Sequence, residues 1–579
     1  MNQFTLKLAL LFATTALTLH AADRPNVVLI MTDDQGYGDL SCHGNPVLKT
    51  PHLDKLHAES IRLTDFHVSP FCTPTRAALM TGRYPARTGA YRTSSGRSML
   101  HTDERTIASL FAESGYATGM VGKWHLGDNA PHRPQDRGFQ DVVWHHAGGI
   151  GQASDYYGND YFDDTYERNG KFEKFEGYCT DVFFAESMRF VEENKEKPFF
   201  LYLATNAPHS PYRVAPKWSA PYKETVKWKS GPEFYGMIAN FDHNVGLLRK
   251  RLDELNLSDN TIFIFMTDNG TGKGSGGAGP GPDDFKGFNA GMRGVKSTVY
   301  EGGHRVPFFI HWPKGGLTGG RDMQHLAGHI DVVPTLAELC GVSTAKALEQ
   351  DGISFATSLK DPDAPATRDH FITQLHGGAR FTQPEAPWFT SCVVKGRWRL
   401  LDGEKLTHLD QNPMQNRSSA DAHPEVVAEL RQLYENWWES VSPRMTPVSI
   451  DLGNPAENPT MLSSQDWYLP VGNPPWHLGA INSLVRETGP WYVDVKQSGR
   501  YRISLRQFPP EADRNVSAVR AKLRIAEKEM TSDVNPGMKS VDFEIELPAG
   551  KTKLETWLYD ESDEAGGAYF TEVELLRTS

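Results

Sequence analysis

The sequence predicts an α/β fold in which a large, mixed, mostly parallel sheet is flanked by helices. Three apolar runs predict strands that are buried on both faces, as in parallel sheets covered by helices. Helical patterns such as PHLDKLHAESI and TIASLFAESGYA lie between these runs, and such alternation indicates an α/β sheet. The runs are VVLIMTDDQG after Pro25, PFFLYLATNAPH at 198–209 and TIFIFMTDNG at 261–270, with VPFFIHWP at 306–313 as a more ambiguous fourth.

Residues 1–22 have the order of a secretory signal peptide. Lys7 precedes an apolar run from Leu8 to about Leu19, and the small residues Ala21 and Ala22 follow it. The alternative is a membrane anchor, but the run is well short of the ~20 apolar residues that span a bilayer. No later stretch is long and apolar enough either. We therefore expect no transmembrane segment after cleavage and an exported protein, periplasmic or secreted.

The rest of the chain divides into three predicted regions. Residues 23–375 carry the α/β pattern. A smaller α+β subdomain is predicted at 376–444 from the hairpin-like SCVVKGRWRLLD and the helical HPEVVAELRQLYENWWESV. From 445 to 579, period-2 alternation between glycine turns predicts a β-rich accessory domain similar to a β-sandwich. The Gly-rich segment at 270–294 lacks the spacing of a P-loop and is expected to be a mobile loop.

Composition and charge exclude several classes of protein. Hydrophobic residues make up 39% of the 579 residues and charged residues 23%, which is ordinary for soluble globular proteins and excludes collagen-like, coiled-coil and disordered chains. The net charge of −12 argues against a nucleic-acid surface and leaves anion binding to a local cationic pocket. Five cysteines are too few for a disulfide framework, and at least one of them stays unpaired.

Polar side chains follow the predicted strands at their carboxyl ends, where ligands bind in open α/β sheets. Asp33 and Asp34 follow the first run, His209 the second, and Asp268 and Asn269 the third. Four oxygen donors suit a hard cation such as Ca²⁺, and they lack the thiolate or imidazole that Zn²⁺ prefers. An Asp-Asp pair alone would more often cap a helix, but the second acid–amide pair favours the metal site.

The segment PFCTPTRAALMTGR at 70–83 carries the most specific pattern in the chain. A single cysteine is usually a buried free thiol, but Cys72 lies in C-T-P-T-R, with L-x-T-G-R at a fixed offset. This resembles the motif of the type I sulfatases, arylsulfatase-like members of the alkaline phosphatase superfamily. In that family this cysteine is oxidised after translation to formylglycine. Thr75 stands where the family often has serine, which is a mild departure.

The resemblance extends from Pro25 to about Trp438 and implies the family's fold, with 23–375 as the catalytic domain and 376–444 as its C-terminal subdomain. The segments DDQGYGDL, GKWHLG, APHSPY, TDNG and RGVKSTVYEGGHRVP match the family pattern. Lys123 and His125 are two apart in an extended segment, so both side chains can point to one side. The implied metal ligands, for one Ca²⁺ per chain, are Asp33, Asp34, Cys72, Asp268 and Asn269, and the implied catalytic residues are Cys72, Arg76, Lys123, His125, His209 and Lys296.

The resemblance also implies a mechanism. An aldehyde at position 72 would hydrate to a geminal diol, and Asp268 would help to deprotonate the metal-bound hydroxyl that attacks sulfur. His209 would protonate the leaving alcohol, with Lys296 sharing that task or holding a sulfate oxygen. His125 would then take the proton of the second hydroxyl, so that sulfate is expelled.

In the same mechanism, Lys123 and Arg76 would hold the diol and spread the developing charge. A plain serine could not release sulfate in this way, because it lacks the second hydroxyl that drives the elimination. Cys72 is therefore expected to be the precursor of the nucleophile.

The expected substrate is a sulfated carbohydrate, or a sulfated small molecule, and the expected partner is a formylglycine-generating or sulfatase-maturating enzyme. Two alternatives stay open: a formylglycine-dependent phosphonate or phosphate diester hydrolase, and a non-catalytic protein that binds sulfated glycans. The aromatic segment at 155–170 is expected to be either a sugar subsite or a surface loop, and His145 and His146 could shape the pocket. For Trp467 and Trp476 in the accessory domain, packing or dimerisation is favoured over carbohydrate binding.

Overall fold

A computed structural model describes residues 24–272, 287–376 and 385–578 of the chain. The predicted signal peptide and most of the Gly-rich segment at 270–294 lie outside the described residues. Within those ranges, no helix combines the length and the apolar character that crossing a membrane requires.

A ten-stranded sheet forms the centre of the large domain, with the order β11-β2-β10-β9-β1-β8-β4-β5-β6-β7. Every pair from β9 to β5 is parallel, whereas β10 runs antiparallel to both of its neighbours. This confirms the predicted mixed, mostly parallel sheet. Its strands are β1 (Asn26–Thr32), β2 (Ile61–Leu63), β4 (Ala117–Lys123), β5 (Asp141–His145), β6 (Thr165–Arg168), β7 (Lys171–Lys174), β8 (Phe199–Ala204), β9 (Thr261–Thr267), β10 (Phe308–His311) and β11 (Asp322–Met323).

Helices cover both faces of this sheet, and alternate residues of β1 belong to different cores. Val27 and Leu29 pack into one core, with side chains of α2, α4 and α9, while Val28 and Ile30 pack into the other, with α1, α5 and α7. The continuous apolar run is thus explained by burial on both sides. The helices are α1 (Pro51–Glu59), α2 (Cys72–Thr81), α3 (Pro85–Thr88), α4 (Ile107–Glu113), α5 (Cys179–Glu193), α6 (Pro216–Ser219), α7 (Gly231–Glu254), α8 (Glu301–His304), α9 (Val332–Cys340) and α10 (Ala356–Lys360). A two-stranded ladder joins β3 (Phe66–His67) to β12 (Ala327–Gly328).

The C-terminal subdomain is a four-stranded antiparallel sheet packed against one long helix. The predicted hairpin and helix are both present, and the first strand lies just before the predicted boundary at residue 375. Leu430, Tyr434 and Trp437 of the helix share a core with Ala78 and Tyr84, so this subdomain packs against the region around α2. The elements are β13 (His370–Gln374), β14 (Ser391–Lys395), β15 (Trp398–Leu401), β16 (Lys405–His408) and α11 (Pro424–Val441).

The region after residue 445 consists of two sheets around a shared apolar core, as predicted. Trp467 and Trp491 are both fully buried in this core. One sheet contains β17 (Ile450–Leu452), β19 (Trp491–Val495), β21 (Arg520–Ile525), β22 (Lys528–Asp533), β24 (Gly550–Tyr559) and β25 (Ala565–Gly566), and the other contains β18 (Thr460–Ser463), β20 (Gly499–Arg506), β23 (Val541–Leu547) and β26 (Phe570–Thr578). A short helix, α12 (Leu478–Asn482), precedes β19. We call this region the accessory domain.

Candidate active site

The parallel strands bring the predicted acidic residues together at one edge of the sheet. Thr32 at the end of β1 is paired with Thr267 at the end of β9, so the residues that follow them are neighbours. The backbone N–H of Asp34 donates a 3.1 Å hydrogen bond to Oδ1 of Asp268. Asp34 has a φ of 70°, a left-handed conformation that is uncommon outside glycine and often marks functional sites.

Three buried carboxylates at this edge are each paired with a cation. Two of the pairs are fully buried, whereas the pair of Asp34 with Lys296 is partly exposed at the pocket. Burying a charge is tolerated when an opposite charge and hydrogen bonds compensate it. The pairs are Asp33 with Lys123, Asp268 with Arg76 at 3.0 Å, and Asp34 with Lys296 at 2.6 Å.

The surrounding charges separate the pKa values of the two innermost carboxyl groups. Burial raises the pKa of Asp268 to about 7, and the neighbouring Asp33 carboxylate adds to this effect. Burial also opposes ionisation of Asp33, but the charges of Lys123, His209 and Arg76 hold its pKa well below the usual range. Of these two carboxyl groups, Asp33 is thus the one that more readily stays ionised.

Cys72 is the first residue of α2, at the floor of the pocket. Because the helix begins at Cys72, the positive end of its dipole lies there, and Phe71 at the N-cap makes no side-chain hydrogen bond to it. The Cys72 Sγ atom lies 3.4 Å from Nδ1 of His125. Burial raises the pKa of this thiol although Lys123 and Lys296 act in the opposite direction, so the unmodified side chain is a neutral thiol and a poor nucleophile. All five cysteines, including Cys72, are free.

The position of His125 depends on the backbone around it. Its φ is 57°, and its Nε2 atom lies 2.9 Å from the carbonyl oxygen of Thr93. A Cβ atom at Gly148 would stand 2.5 Å from Cε1 of His125, so only glycine leaves room for the ring. Burial, then the charge of Lys123, holds the pKa of His125 well below its usual value. The imidazole is therefore neutral, and with Nε2 engaged by Thr93 its Nδ1 atom is the one that faces Cys72.

His209 and Lys296 lie on the other side of the pocket. The Nδ1 atom of His209 is 2.6 Å from the carbonyl oxygen of Ser210, and its Nε2 atom is 3.8 Å from Oδ2 of Asp34. The hydroxyl of buried Tyr161 donates a 3.2 Å hydrogen bond to the carbonyl oxygen of His209. Burial would lower the pKa of Lys296, but Asp34 raises it above the usual value, so the ammonium stays charged.

The oxygen donors fit a hard cation. The Oδ1 atoms of Asp33 and Asn269 are buried and accept no hydrogen bond from the described residues. The amide nitrogen of Asn269 donates to Oδ1 of Asp34 and to the carbonyl of Gly270, which leaves its oxygen available. Ligand atoms of Asp33, Cys72 and Asp268 lie within 4.8 Å of one another. Carboxylate and amide oxygens at such spacing match the ligands that Ca²⁺ prefers.

These residues surround a pocket of about 310 Å³, which is at the lower end of the roughly 300–1,000 Å³ found for small-molecule sites. Asp34, Cys72, His125, His209 and Lys296 line it. The other predicted residues lie beneath this surface and are fully buried, namely Asp33, Arg76, Lys123, Asp268 and Asn269. The structure therefore brings every predicted site residue to one place.

The sequence analysis missed several residues that line the same pocket. Gln152 and Tyr212 come from the large domain, whereas Gln465, Asn473 and Trp476 come from the accessory domain. The Gln and Asn residues belong to no pattern that would single them out. Trp476 was noticed as an aromatic residue, but its position depends on how two domains pack, which local sequence does not reveal.

Other expected contributors lie elsewhere. His146 pairs with Glu167 at 2.8 Å and lines a separate cavity between the large and accessory domains. His145 is buried, with Nδ1 2.8 Å from the carbonyl of His146. The aromatic segment at 155–170 does not line the Cys72 pocket among the described residues. Its Tyr161 and Tyr166 are core residues.

Comparison with known proteins points to one family. The family model described as Sulfatase matches residues 25–342. Human arylsulfatase A is 33% identical over 475 residues, which cover 73% of this chain and 89% of that protein. The N-acetylgalactosamine-6-O-sulfatase of Bacteroides thetaiotaomicron is 28% identical, over an alignment that covers 72% of this chain and 93% of that protein. The protein in the crystal structure of Ps i-CgsB in complex with k-i-k-neocarrahexaose is 27% identical in sequence. Its superposition has a TM-score of 0.64 and covers 73% of this chain and 95% of that chain.

Proposed function

This chain belongs to the sulfatase family and is a sulfuric ester hydrolase, and we propose that it removes sulfate from a sulfated carbohydrate, using a formylglycine made from Cys72 and a Ca²⁺ site. The observation that carries the proposal is the position of Cys72 at the floor of a pocket between oxygen donors and cations. Names of two related proteins, an N-acetylgalactosamine-6-O-sulfatase and one bound to a neocarrahexaose, support a carbohydrate substrate.

The charges near Cys72 suit a sulfate ester. Lys296 reaches the pocket surface, while Lys123 and Arg76 lie directly beneath it. These cations and the positive end of α2 stabilise negative charge that develops on sulfate oxygens. Because Lys123 and Arg76 are fully buried, this stabilisation is stronger than in water.

Residue 72 needs a chemical change to act as the nucleophile. Its thiol has a raised pKa because it is buried, whereas cysteines that react as nucleophiles have lowered pKa values. A formylglycine at this position would supply a hydrated aldehyde, of which one hydroxyl attacks sulfur and the other allows sulfate to leave. His125, 3.4 Å from Sγ, is placed to hold that side chain and to accept a proton from it.

The calcium would be held by Asp33, Asp34, Asp268 and Asn269, together with residue 72. When bound, it would lower the pKa of a coordinated hydroxyl and draw electron density from a sulfate oxygen. The chain itself keeps these ligands in place through Lys123, Arg76 and Lys296, each paired with one carboxylate.

His209 is the proposed proton donor to the leaving alcohol. It lies on the pocket wall next to Lys296, with Nε2 facing Asp34 at 3.8 Å. The contact of its Nδ1 atom with the carbonyl oxygen of Ser210 holds the ring, and the Tyr161 hydroxyl holds the backbone carbonyl of His209. Lys296 shares the donation or binds a sulfate oxygen, as its charge allows.

Export and maturation belong to the same proposal. Residues 1–22 have the order of a signal peptide, and an exported enzyme meets polysaccharides outside the cytoplasm. Cys72 would be converted by a formylglycine-generating or sulfatase-maturating enzyme before the pocket closes around it, since the residue is only 2% exposed in the folded chain.

The test is a comparison of esters. Purified enzyme is assayed with 4-nitrophenyl sulfate, 4-nitrophenyl phosphate and bis-4-nitrophenyl phosphate, and then with N-acetylgalactosamine 6-sulfate and carrageenan oligosaccharides. We expect sulfate release from at least one saccharide and a preference for sulfate over both phosphate esters. Faster cleavage of the phosphate diester would favour the phosphonate or phosphate diester hydrolase instead.

A further inference from the structure

The accessory domain forms part of the wall of the Cys72 pocket. Gln465, Asn473 and Trp476 line the pocket together with His125, His209 and Lys296. They lie on the connection between β18 and α12, more than three hundred residues along the chain from Cys72. We call residues 465–477 the pocket loop.

The pocket loop is held in place by hydrogen bonds to the large domain. The backbone N–H of Ala153 donates to the carbonyl oxygen of Trp476 at 2.9 Å, and a β-bridge joins Gln152 to His477. The buried guanidinium of Arg92 donates to the carbonyl of Gly472 at 2.8 Å and to Oδ1 of Asn473 at 3.1 Å. A loop bound on both sides of Trp476 presents that side chain in a defined position.

Further hydrogen bonds near the start of the loop fix it at a second point. The N–H of Ser95 donates to the carbonyl of Gln465 at 2.8 Å, and Nη1 of Arg97 donates to the carbonyl of Leu469 at 2.9 Å. The Arg97 guanidinium also stacks on the ring of Tyr468, 3.8 Å from its centroid. Since both ends of the pocket loop are attached to the large domain, the loop has a fixed position relative to Cys72.

The two tryptophans of this segment differ in burial. Trp467 is fully buried in the core of the accessory domain, whereas Trp476 is 37% exposed at the pocket. Its ring contacts His477 edge-on at a centroid distance of 4.9 Å. A large aromatic ring that is left partly exposed beside convergent polar side chains is typical of a ligand-binding site.

Building on the proposed function, we propose that Trp476 forms a sugar-binding subsite, in which its ring stacks on the apolar face of the pyranose whose sulfate reaches residue 72. Asn473 and Gln465 provide amide groups for hydroxyls of the same saccharide. Tryptophan suits this role because it combines a broad apolar face with an N–H donor and loses little conformational freedom on binding. The accessory domain is thereby a determinant of substrate specificity.

The test compares two kinds of substrate in one set of variants. For wild type, Trp476→Ala and Trp476→Phe, kcat/KM is measured with 4-nitrophenyl sulfate and with the preferred saccharide of the panel above. For Trp476→Ala, we expect the ratio of saccharide to aryl sulfate activity to fall by about tenfold, mainly through KM, since an aromatic stacking contact is lost. Trp476→Phe should keep most of that ratio.

Val471→Ala is the matched control, because Val471 is 53% exposed in the same loop and does not line the pocket. It should leave both activities and the ratio unchanged. If Trp476→Ala leaves the ratio of saccharide to aryl sulfate activity unchanged, whether or not both activities fall, the subsite is overturned. Wild type that splits aryl sulfate but none of the saccharides would overturn the carbohydrate substrate itself, and the subsite with it.

Discussion

Replacement of Asp268 by asparagine tests the metal site without changing the size of the side chain. Asp268 is fully buried. Its Oδ2 accepts a 3.0 Å hydrogen bond from Arg76, and its Oδ1 accepts one of 3.1 Å from the N–H of Asp34. Both partners are donors, and an asparagine has only one acceptor oxygen. Whichever way the amide is turned, one buried donor faces an NH₂ group and loses its acceptor.

The cost follows from that geometry. A buried donor without a partner destabilises a protein by about 1–3 kcal/mol. Arg76 would also lose its nearest carboxylate charge, since Asp33 lies farther away at 3.8 Å, although weaker repulsion among the carboxylates offsets part of this loss. We therefore expect a loss of about 2 kcal/mol in stability. Since a ligand loses its negative charge, we expect Ca²⁺ affinity to fall by at least about tenfold to a hundredfold, the range seen when only groups behind a ligand are changed.

Asp242→Asn is the matched control. Asp242 is 2% exposed, and its carboxylate accepts hydrogen bonds from the backbone N–H groups of His52 and Leu53. Burial raises its pKa to about 7, as it does for Asp268. Titration calorimetry with Ca²⁺, thermal unfolding and 4-nitrophenyl sulfate turnover are measured for both variants. Unchanged Ca²⁺ affinity in Asp268→Asn, or an equal loss in Asp242→Asn, would refute the assigned site.

Two further predictions concern residue 72 and the pair of His146 with Glu167. Cys72→Ala should abolish turnover, because no aldehyde can form. The free energy of unfolding should fall by only about 1 kcal/mol, since one buried sulfur is lost. Near-normal turnover would contradict the mechanism. Burial opposes charge on His146 and Glu167, but their contact raises the pKa of His146 to about 9 and lowers that of Glu167 to about 2. The stability that protonated His146 contributes is therefore complete below about pH 6.5 and is lost as the pH rises to about 9. In wild type, the free energy of unfolding should fall by about 3 kcal/mol across that range. Glu167→Gln should remove this pH dependence, as measured by thermal unfolding. An equally steep pH dependence in the variant would count against the pair.

Local sequence was enough to predict the central strands and the polar residues at their carboxyl ends, whereas the catalytic residues were implied by the family resemblance. Asp33 and Asp268 follow continuous apolar runs. Such runs are the usual pattern of strands that are buried on both faces. Parallel neighbours then place their carboxyl ends together, so two short motifs far apart in the chain predict one site. The direction of β10 was not predictable, because the same apolar run serves either orientation within a sheet.

Contacts between domains could not be predicted from the sequence. Trp476 and Trp467 occur in one short segment, yet one lines the pocket and the other is a core residue. The difference depends on hydrogen bonds from Ala153 and Arg92, which lie in another domain. Tyr161 illustrates the converse, since an aromatic segment that could have bound sugar packs into the core and positions His209 through a backbone contact.

The most direct test of the account is the mass of the peptide that contains residue 72, taken from protein of the native source and measured alongside turnover of 4-nitrophenyl sulfate. Conversion of the cysteine to formylglycine removes about 18 Da, a change that no ordinary step of thiol oxidation produces. The account predicts this loss, in a fraction of molecules that rises in proportion to specific activity. Active protein in which residue 72 remains entirely a thiol would contradict it.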